Sequence, residues 1–181
     1  MLVLLDRDGV LNENRADYVK SPDQLVMLPG AAAAVARLNA AGHRVMVCTN
    51  QSAVGRGIID NVMLDRIHDA MRGHLQRAGA RLDGLFICTD PPWAATPRRK
   101  PGPGMLLEAI RQARVGPGDA VMIGDHLRDL EAAAAAGCRR ILVRTGEGKA
   151  TQAKGLPTTV LPISVYEDLA AAVDVLLGGG A

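Results

Sequence analysis

Two aspartates stand directly behind an apolar run at the start of the chain, MLVLLDRDGVLNEN, at positions 6 and 8. A short apolar run closed by polar residues and glycine reads as a fully buried strand, so Asp6 falls where that strand leaves the core. Carboxylates at a buried edge are costly unless hydrogen bonds or cations meet them. A purely structural alternative for Asp8 is an Asx turn into Gly9. Three other stretches carry chemistry in similar settings. CTNQS places Thr49, Asn50, Gln51 and Ser52 behind VMVC, GDHLRD places Asp125, His126 and Asp129 behind AVMI, and PRRKPGPGM places Arg99 and Lys100 before a helix-like segment. Carboxylates that cannot all sit uncompensated suggest a hard divalent cation. Mg2+ takes a few oxygen ligands and keeps waters that a phosphate can replace.

The elements that must position these residues follow from the pattern. Apolar runs occur at 2–5, 45–48, 85–88, 120–123 and 141–143. Segments with helical spacing lie between them at 31–42, 61–79, 103–116 and 127–137, several ending on glycine. A weaker strand at 158–161 and a helix at 164–177 close the chain, with GGGA as a frayed end. Strands alternating with helices predict an α/β fold, a doubly wound, mainly parallel Rossmann-like sheet of order 3-2-1-4-5 with helices on both faces. Residues 1–181 read as a single domain. In that order strand 1 lies beside strand 4, and ligands bind beyond the carboxyl ends where the order reverses. Asp6 and Asp125 would then meet.

Composition narrows the function classes. The chain is 48% hydrophobic and 22% charged with net charge +2, which fits a soluble globular protein without a single-sign field for nucleic acid or anionic lipid. Aromatic residues make up only 2%, too few for base-stacking platforms. No run approaches the roughly 18 apolar residues of a membrane span, and MLVLL is too short for a secretory signal, so a cytoplasmic location is expected. Cys48, Cys88 and Cys138 have no C-x-x-C spacing and read as buried thiols. TGEGKAT at 145–151 fails as a Walker loop, because position 143 is valine.

Taken as a set, DRDGVLN, TNQS-x-x-GRG, RKP-x-PGM and GD-x-x-x-D resemble the haloacid dehalogenase superfamily of aspartate-nucleophile phosphotransferases. The resemblance spans residues 2–145, and within the superfamily it looks like the branch of heptose-bisphosphate and histidinol-phosphate phosphatases. It implies that Asp6 attacks phosphorus and becomes an aspartyl phosphate, splitting one hard displacement into two. Asp8 would protonate the leaving oxygen and then deprotonate water, assistance worth about 10²- to 10⁴-fold. Phosphate monoester hydrolysis needs accelerations up to about 10²¹, so charge neutralisation must supply more. By resemblance, Mg2+ takes the Asp6 and Asp125 side chains and the Asp8 backbone carbonyl. Thr49 and neighbouring amides bind phosphoryl oxygens, Lys100 bridges nucleophile and phosphate, and Asp129 orients Lys100 or a metal water. Singly, each element has a duller explanation: a strand end for Thr49 and Asn50, a helix cap for Asp125, a solvated basic patch for residues 97–100.

The spacing leaves no room for an inserted cap. About 37 residues separate Asp8 from the second strand and about 12 separate Cys88 from Lys100, so loops at 10–28, 52–60 and 89–99 should form the pocket. Arg56 and Arg99, with Asn50, Gln51, Ser52 and His126, are candidates to hold the rest of a substrate. One departure concerns zinc. Related heptose-bisphosphate phosphatases often carry three cysteines and a histidine before the RKP motif, whereas CTDPPWAATPRRKP retains only Cys88. No structural zinc is expected, and prolines 91, 92 and 97 are candidates to stiffen the loop instead. The resemblance thus implies a monomeric, Mg2+-dependent phosphatase. Its substrate would be a small phosphorylated sugar, the 7-phosphate of D-glycero-D-manno-heptose 1,7-bisphosphate, on the way to nucleotide-activated heptose for lipopolysaccharide. Histidinol phosphate is the alternative. Asp17, Asp23 and Asp90 are the acidic residues available to an aminated substrate.

Overall fold

The computed structural model describes residues 1–178. Six strands form one parallel sheet in the order β3-β2-β1-β4-β5-β6: β1 (Leu2–Leu5), β2 (Arg44–Asn50), β3 (Gly84–Cys88), β4 (Ala120–Gly124), β5 (Arg139–Val143) and β6 (Ser164–Tyr166). The expected order is present and extended by one strand. Helices α1 (Ala31–Ala40), α3 (Asn61–Arg77) and α7 (Leu169–Gly178) pack on one face, and α4 (Gly104–Ala113) and α5 (Leu127–Ala135) on the other. Two short helices, α2 (Ser52–Gly55) and α6 (Gly148–Ala153), follow β2 and β5 at the carboxyl rim.

The apolar run behind Asp6 is explained by the two faces. Val3 and Leu5 enter the layer under α1, α3 and α7, while Leu2 and Leu4 enter the layer under α4 and α5. A strand buried on both sides has no polar face to alternate with. Helix α3 buries Leu64, Ile67, His68, Met71 and Leu75. All three cysteines are buried and free.

The C-terminal segment departs from the expected pattern. TTVL is a 3-10 turn, Thr158–Val160, with Val160 buried beside Leu130 and Leu142. Prolines 157 and 162 bracket it, and a proline cannot donate to a strand ladder. The sixth strand forms only after Pro162, at Ser164–Tyr166, and the last helix starts later than expected. Asp168 sets that start by accepting a hydrogen bond from Ala171 N at 2.8 Å. Of GGGA, residues 179–181 lie outside the described residues. Helix α6 carries too little apolar periodicity to be visible in the sequence.

The central strand carries the rim geometry, so its packing is the stability test. Leu4→Ala should lower the unfolding free energy by about 2–5 kcal/mol, measured by urea denaturation, because Leu4 is fully buried against the α4 and α5 layer.

Candidate active site

Register places the acidic residues together. Leu5 pairs with Val47 on one side and Ile123 on the other, and Asp6 N donates to Ile123 O at 3.0 Å. The next residues along β4 are Gly124 and Asp125. Oxygens of Asp6, Asp125 and Asp129 lie within 4.8 Å of one another, all from buried residues. Asp129 sits in the first turn of α5, where its Oδ2 accepts from His126 N at 3.0 Å. Gly124 permits this approach, since a Cβ there would stand 2.3 Å from the Asp129 Cβ. Into the same cluster comes the fully buried Lys100, with Nζ 3.0 Å from Asp6 Oδ1 and 2.7 Å from Asp129 Oδ1. Asn50 fixes the lysine by gripping its backbone: Nδ2 donates to Lys100 O at 2.9 Å and Oδ1 accepts from Lys100 N at 3.1 Å.

Asp125 is held by groups that the sequence did not single out. Its Oδ2 accepts from Asn14 Nδ2 at 2.9 Å and Glu147 N at 2.7 Å, and its carbonyl accepts from Thr151 Oγ1 at 3.0 Å. Thr145 Oγ1 donates to Gly9 O at 2.6 Å, tying the strap to the first loop. TGEGKAT is therefore a strap across the rim. A Cβ on Gly9 or Gly146 would come within 2.1 or 2.2 Å of Asp125 Oδ2, and both residues have positive φ. The two glycines of DRDG and TGEG were the visible signal for this contact.

Asp8 faces a different set of partners. Arg7 Nη2 donates to both of its oxygens, at 2.8 and 3.0 Å, Asn12 Nδ2 donates to Oδ1 at 2.8 Å, and Gln51 Nε2 donates to Oδ2 at 2.7 Å. Gln51 Nε2 also donates to Thr49 Oγ1 at 2.9 Å. Thr49 is fully buried at the end of β2. The side chains of Asn50 and Gln51 thus organise Lys100 and Asp8, although both residues also line the cavity.

A cavity of about 320 Å³ opens beside Asp8. The anticipated loops supply most of its wall. Tyr18, Ser52, Arg56, Pro92 and Arg99 line it, joined by Arg7, Arg15 and by Arg128 from α5. The Arg56 guanidinium lies 6.0 Å from the Tyr18 ring centroid and 5.0 Å from that of Trp93, linking the three loops. Gly55 allows α2 to pack against the third loop, where a Cβ would meet Thr89 O at 2.3 Å. That loop is closed by Asp90, whose Oδ2 accepts from Thr96 N at 2.8 Å and Thr96 Oγ1 at 2.6 Å, while Arg99 Nη1 donates to Asp90 O at 2.8 Å. His126 is not on the cavity wall; it caps α5, its Nδ1 accepting from Arg128 N at 3.2 Å.

Comparison with known proteins agrees with this arrangement. Residues 97–172 match a protein-family model described as "HAD-hyrolase-like". The chain is 44% identical to the D-glycero-beta-D-manno-heptose-1,7-bisphosphate 7-phosphatase of Bordetella bronchiseptica over 177 residues, 97% of each chain. It is 38% identical over 176 residues to the enzyme of the same name from Pseudomonas aeruginosa, again 97% of each. The chain belongs to the haloacid dehalogenase superfamily of phosphatases. The solved structure of the B. bronchiseptica D,D-heptose 1.7-bisphosphate phosphatase, complexed with magnesium and phosphate, superposes with a TM-score of 0.94 at 43% identity, covering 99% of both chains. The corresponding Burkholderia thailandensis structure gives a TM-score of 0.74 at 40% identity, covering 97% of both.

The electrostatics of this phosphatase fit a hard divalent cation. Burial, and then the negative charge of Asp129 and Asp6, pushes Asp125 up to about 8. Burial raises Asp6 to about 6 even though Lys100 opposes the shift. Burial also disfavours the Lys100 ammonium, but Asp129 and Asp6 outweigh it and hold the lysine above its usual range. For Asp8, burial is outweighed by Arg7, Asn12 and Gln51, which keep the carboxyl below its usual range. Carboxylates that resist ionising together, all oxygen donors, suit Mg2+. Carboxyls with raised values in the folded state bind protons that the unfolded chain has released. Without metal, their contribution to stability is therefore fullest at acid pH and declines as pH rises towards about 8. A bound cation requires the ionised forms, so the rise in melting temperature produced by Mg2+ should grow from about pH 6 to about pH 8. Differential scanning fluorimetry at fixed Mg2+ checks this, and an increment that is flat or shrinking over that window would contradict it.

Proposed function

We propose that this phosphatase removes the 7-phosphate of D-glycero-D-manno-heptose 1,7-bisphosphate through an aspartyl phosphate. On this reading it is a cytoplasmic, monomeric, capless enzyme supplying nucleotide-activated heptose for lipopolysaccharide. The observation that carries the substrate assignment is the cavity wall: Arg7, Arg15, Arg56, Arg99 and Arg128 face it, and Asp8 is its one carboxylate among the described residues. Such a wall suits a substrate with two phosphates and repels an aminated one. Asp17 is paired with Lys20 and Arg15 at 2.7 and 3.2 Å, and Asp90 is bonded to Thr96. Neither lines the cavity, and nor does Asp23. The names of the B. bronchiseptica and P. aeruginosa relatives support the same assignment.

In the first step an Asp6 oxygen forms a bond to phosphorus while the phosphorus–oxygen bond to the sugar breaks, and Asp8, which has to take up a proton as the anionic substrate enters, gives that proton to the departing oxygen. In the second step Asp8 takes a proton from water as the water oxygen bonds to phosphorus. The bond to Asp6 then breaks and orthophosphate leaves. Lys100, between Asp6 and Asp129, keeps the nucleophile oriented and offsets charge on the phosphoryl group; at an effective dielectric near 20, one such pair at about 4 Å is worth roughly 4 kcal/mol. Thr49 and the amides after β2 would hold the phosphoryl oxygens. The carboxylates of Asp6 and Asp125 and the Asp8 carbonyl would bind Mg2+, which neutralises phosphoryl charge. Asp129 holds Lys100, and Arg56, Arg99 and Ser52 would meet the rest of the sugar.

Two measurements test the reading. Asp6→Asn should abolish phosphate release while the circular dichroism spectrum stays native; turnover near wild type would remove the nucleophile assignment. The kcat/KM for heptose 1,7-bisphosphate should exceed that for histidinol phosphate by at least about 100-fold, and the reverse preference would reassign the substrate.

A further inference from the structure

DRDG places an arginine between the two reactive aspartates, and its side chain is more deeply buried than either. Arg7 is 1% exposed. Beyond the contacts of Nη2, its Nε reaches Asp8 Oδ1 at 3.3 Å, and its Nη1 lies 3.2 Å from Nε2 of His68, a residue of α3 that is itself 1% exposed. Arginine stays protonated, so the His68 nitrogen is the acceptor, leaving Nδ1 as the buried N–H, which has no partner. A histidine buried with one nitrogen unsatisfied is an expensive way to fill core volume, and its satisfied nitrogen points only at Arg7. The guanidinium fork in turn fixes the plane of the Asp8 carboxyl, which a lysine could not do.

We propose that Arg7, braced by His68, is a positioning residue that sets the Asp8 carboxyl for proton transfer, so that α3 contributes to catalysis from outside the phosphoryl site. The proposal rests on the reading of Asp8 as acid and base. Arg7 contacts both Asp8 oxygens, and Asn12 and Gln51 occupy one further position on each. When Asp8 carries the proton destined for the leaving oxygen, one of these two neutral amides gives way, because the charged fork is held from behind by α3. The carboxyl therefore stays in its plane through both steps.

The test separates positioning from structure by varying the need for a proton. From a sugar phosphate an unprotonated alkoxide would have to depart, so the first step requires the acid; p-nitrophenyl phosphate releases a stabilised phenolate, and its first step does not. Arg7→Lys should lose about 10- to 100-fold more kcat/KM on the sugar phosphate than on the aryl ester, because kcat/KM reports the leaving-group step and not the later hydrolysis that both esters share. His68→Leu should show the same selectivity at smaller size, and His68→Gln, which can present an oxygen to Arg7, should regain most of it. Asp8→Asn serves as the reference. If it is selective between the esters and the Arg7 and His68 variants are not, the proposal is overturned and the acid–base reading stands. If Asp8→Asn itself shows no selectivity, the acid–base reading falls and the proposal falls with it. Should Arg7→Lys fail to fold, the two His68 variants decide alone: equal losses on both esters, or losses that follow melting temperature, overturn the proposal.

Discussion

The site depends on one buried cation among carboxylates. Lys100 has no exposed side-chain surface, and without it Asp6 and Asp129 would face Asp125 uncompensated. Breaking a buried pair by removing one member typically costs about 3–5 kcal/mol, because the charge left behind has lost its water. The lysine comes from a loop rather than a strand, so the structure fixes it through the Asn50 amide, which grips the Lys100 backbone on both its N–H and its carbonyl. The strand ends supply the negative charge, and the loop before α4 supplies the positive charge.

That division explains what was legible in the sequence. The run LVLL followed by Asp6, and AVMI followed by Gly124 and Asp125, specify buried parallel strands ending in acid. Once the strand order is inferred, the meeting of residues 6 and 125 follows from register. Lys100 was legible only through the resemblance, since a lone basic stretch reads better as a solvated patch. Asn14, Thr145 and the Glu147 amide were not legible: a side-chain amide in a loop and a backbone N–H in a strap carry no periodicity. Their one trace was glycine at 9 and 146, where a side chain would collide with Asp125. The C-terminal strand was misplaced because TTVL has strand-forming residues, and only the bracketing prolines and the packing of Val160 under α5 decide against it.

Some residues that sequence reasoning would place at the substrate turn out to support their neighbours. Asn50 holds Lys100, Gln51 holds Asp8 and Thr49, and His126 caps α5. Only the His126 cap is a local bond of side chain to backbone; Asn50 and Gln51 reach partners about fifty and forty residues away in sequence, which only the strand order brings near. The cations on the cavity wall are distributed differently. They come from the first loop, the turn after α2, the third loop and α5, so no single segment of sequence announces them.

The closure of the third loop by Thr96 on Asp90 has a physiological side. It is made of a carboxylate, a hydroxyl and a backbone amide, with Cys88 buried at its base. The two hydrogen bonds that close the loop involve no sulfur atom, so they do not depend on the oxidation state of that thiol. What they depend on is charge: Asp90 must stay ionised to accept from both Thr96 groups, and those same bonds hold its carboxyl below the usual carboxylate range.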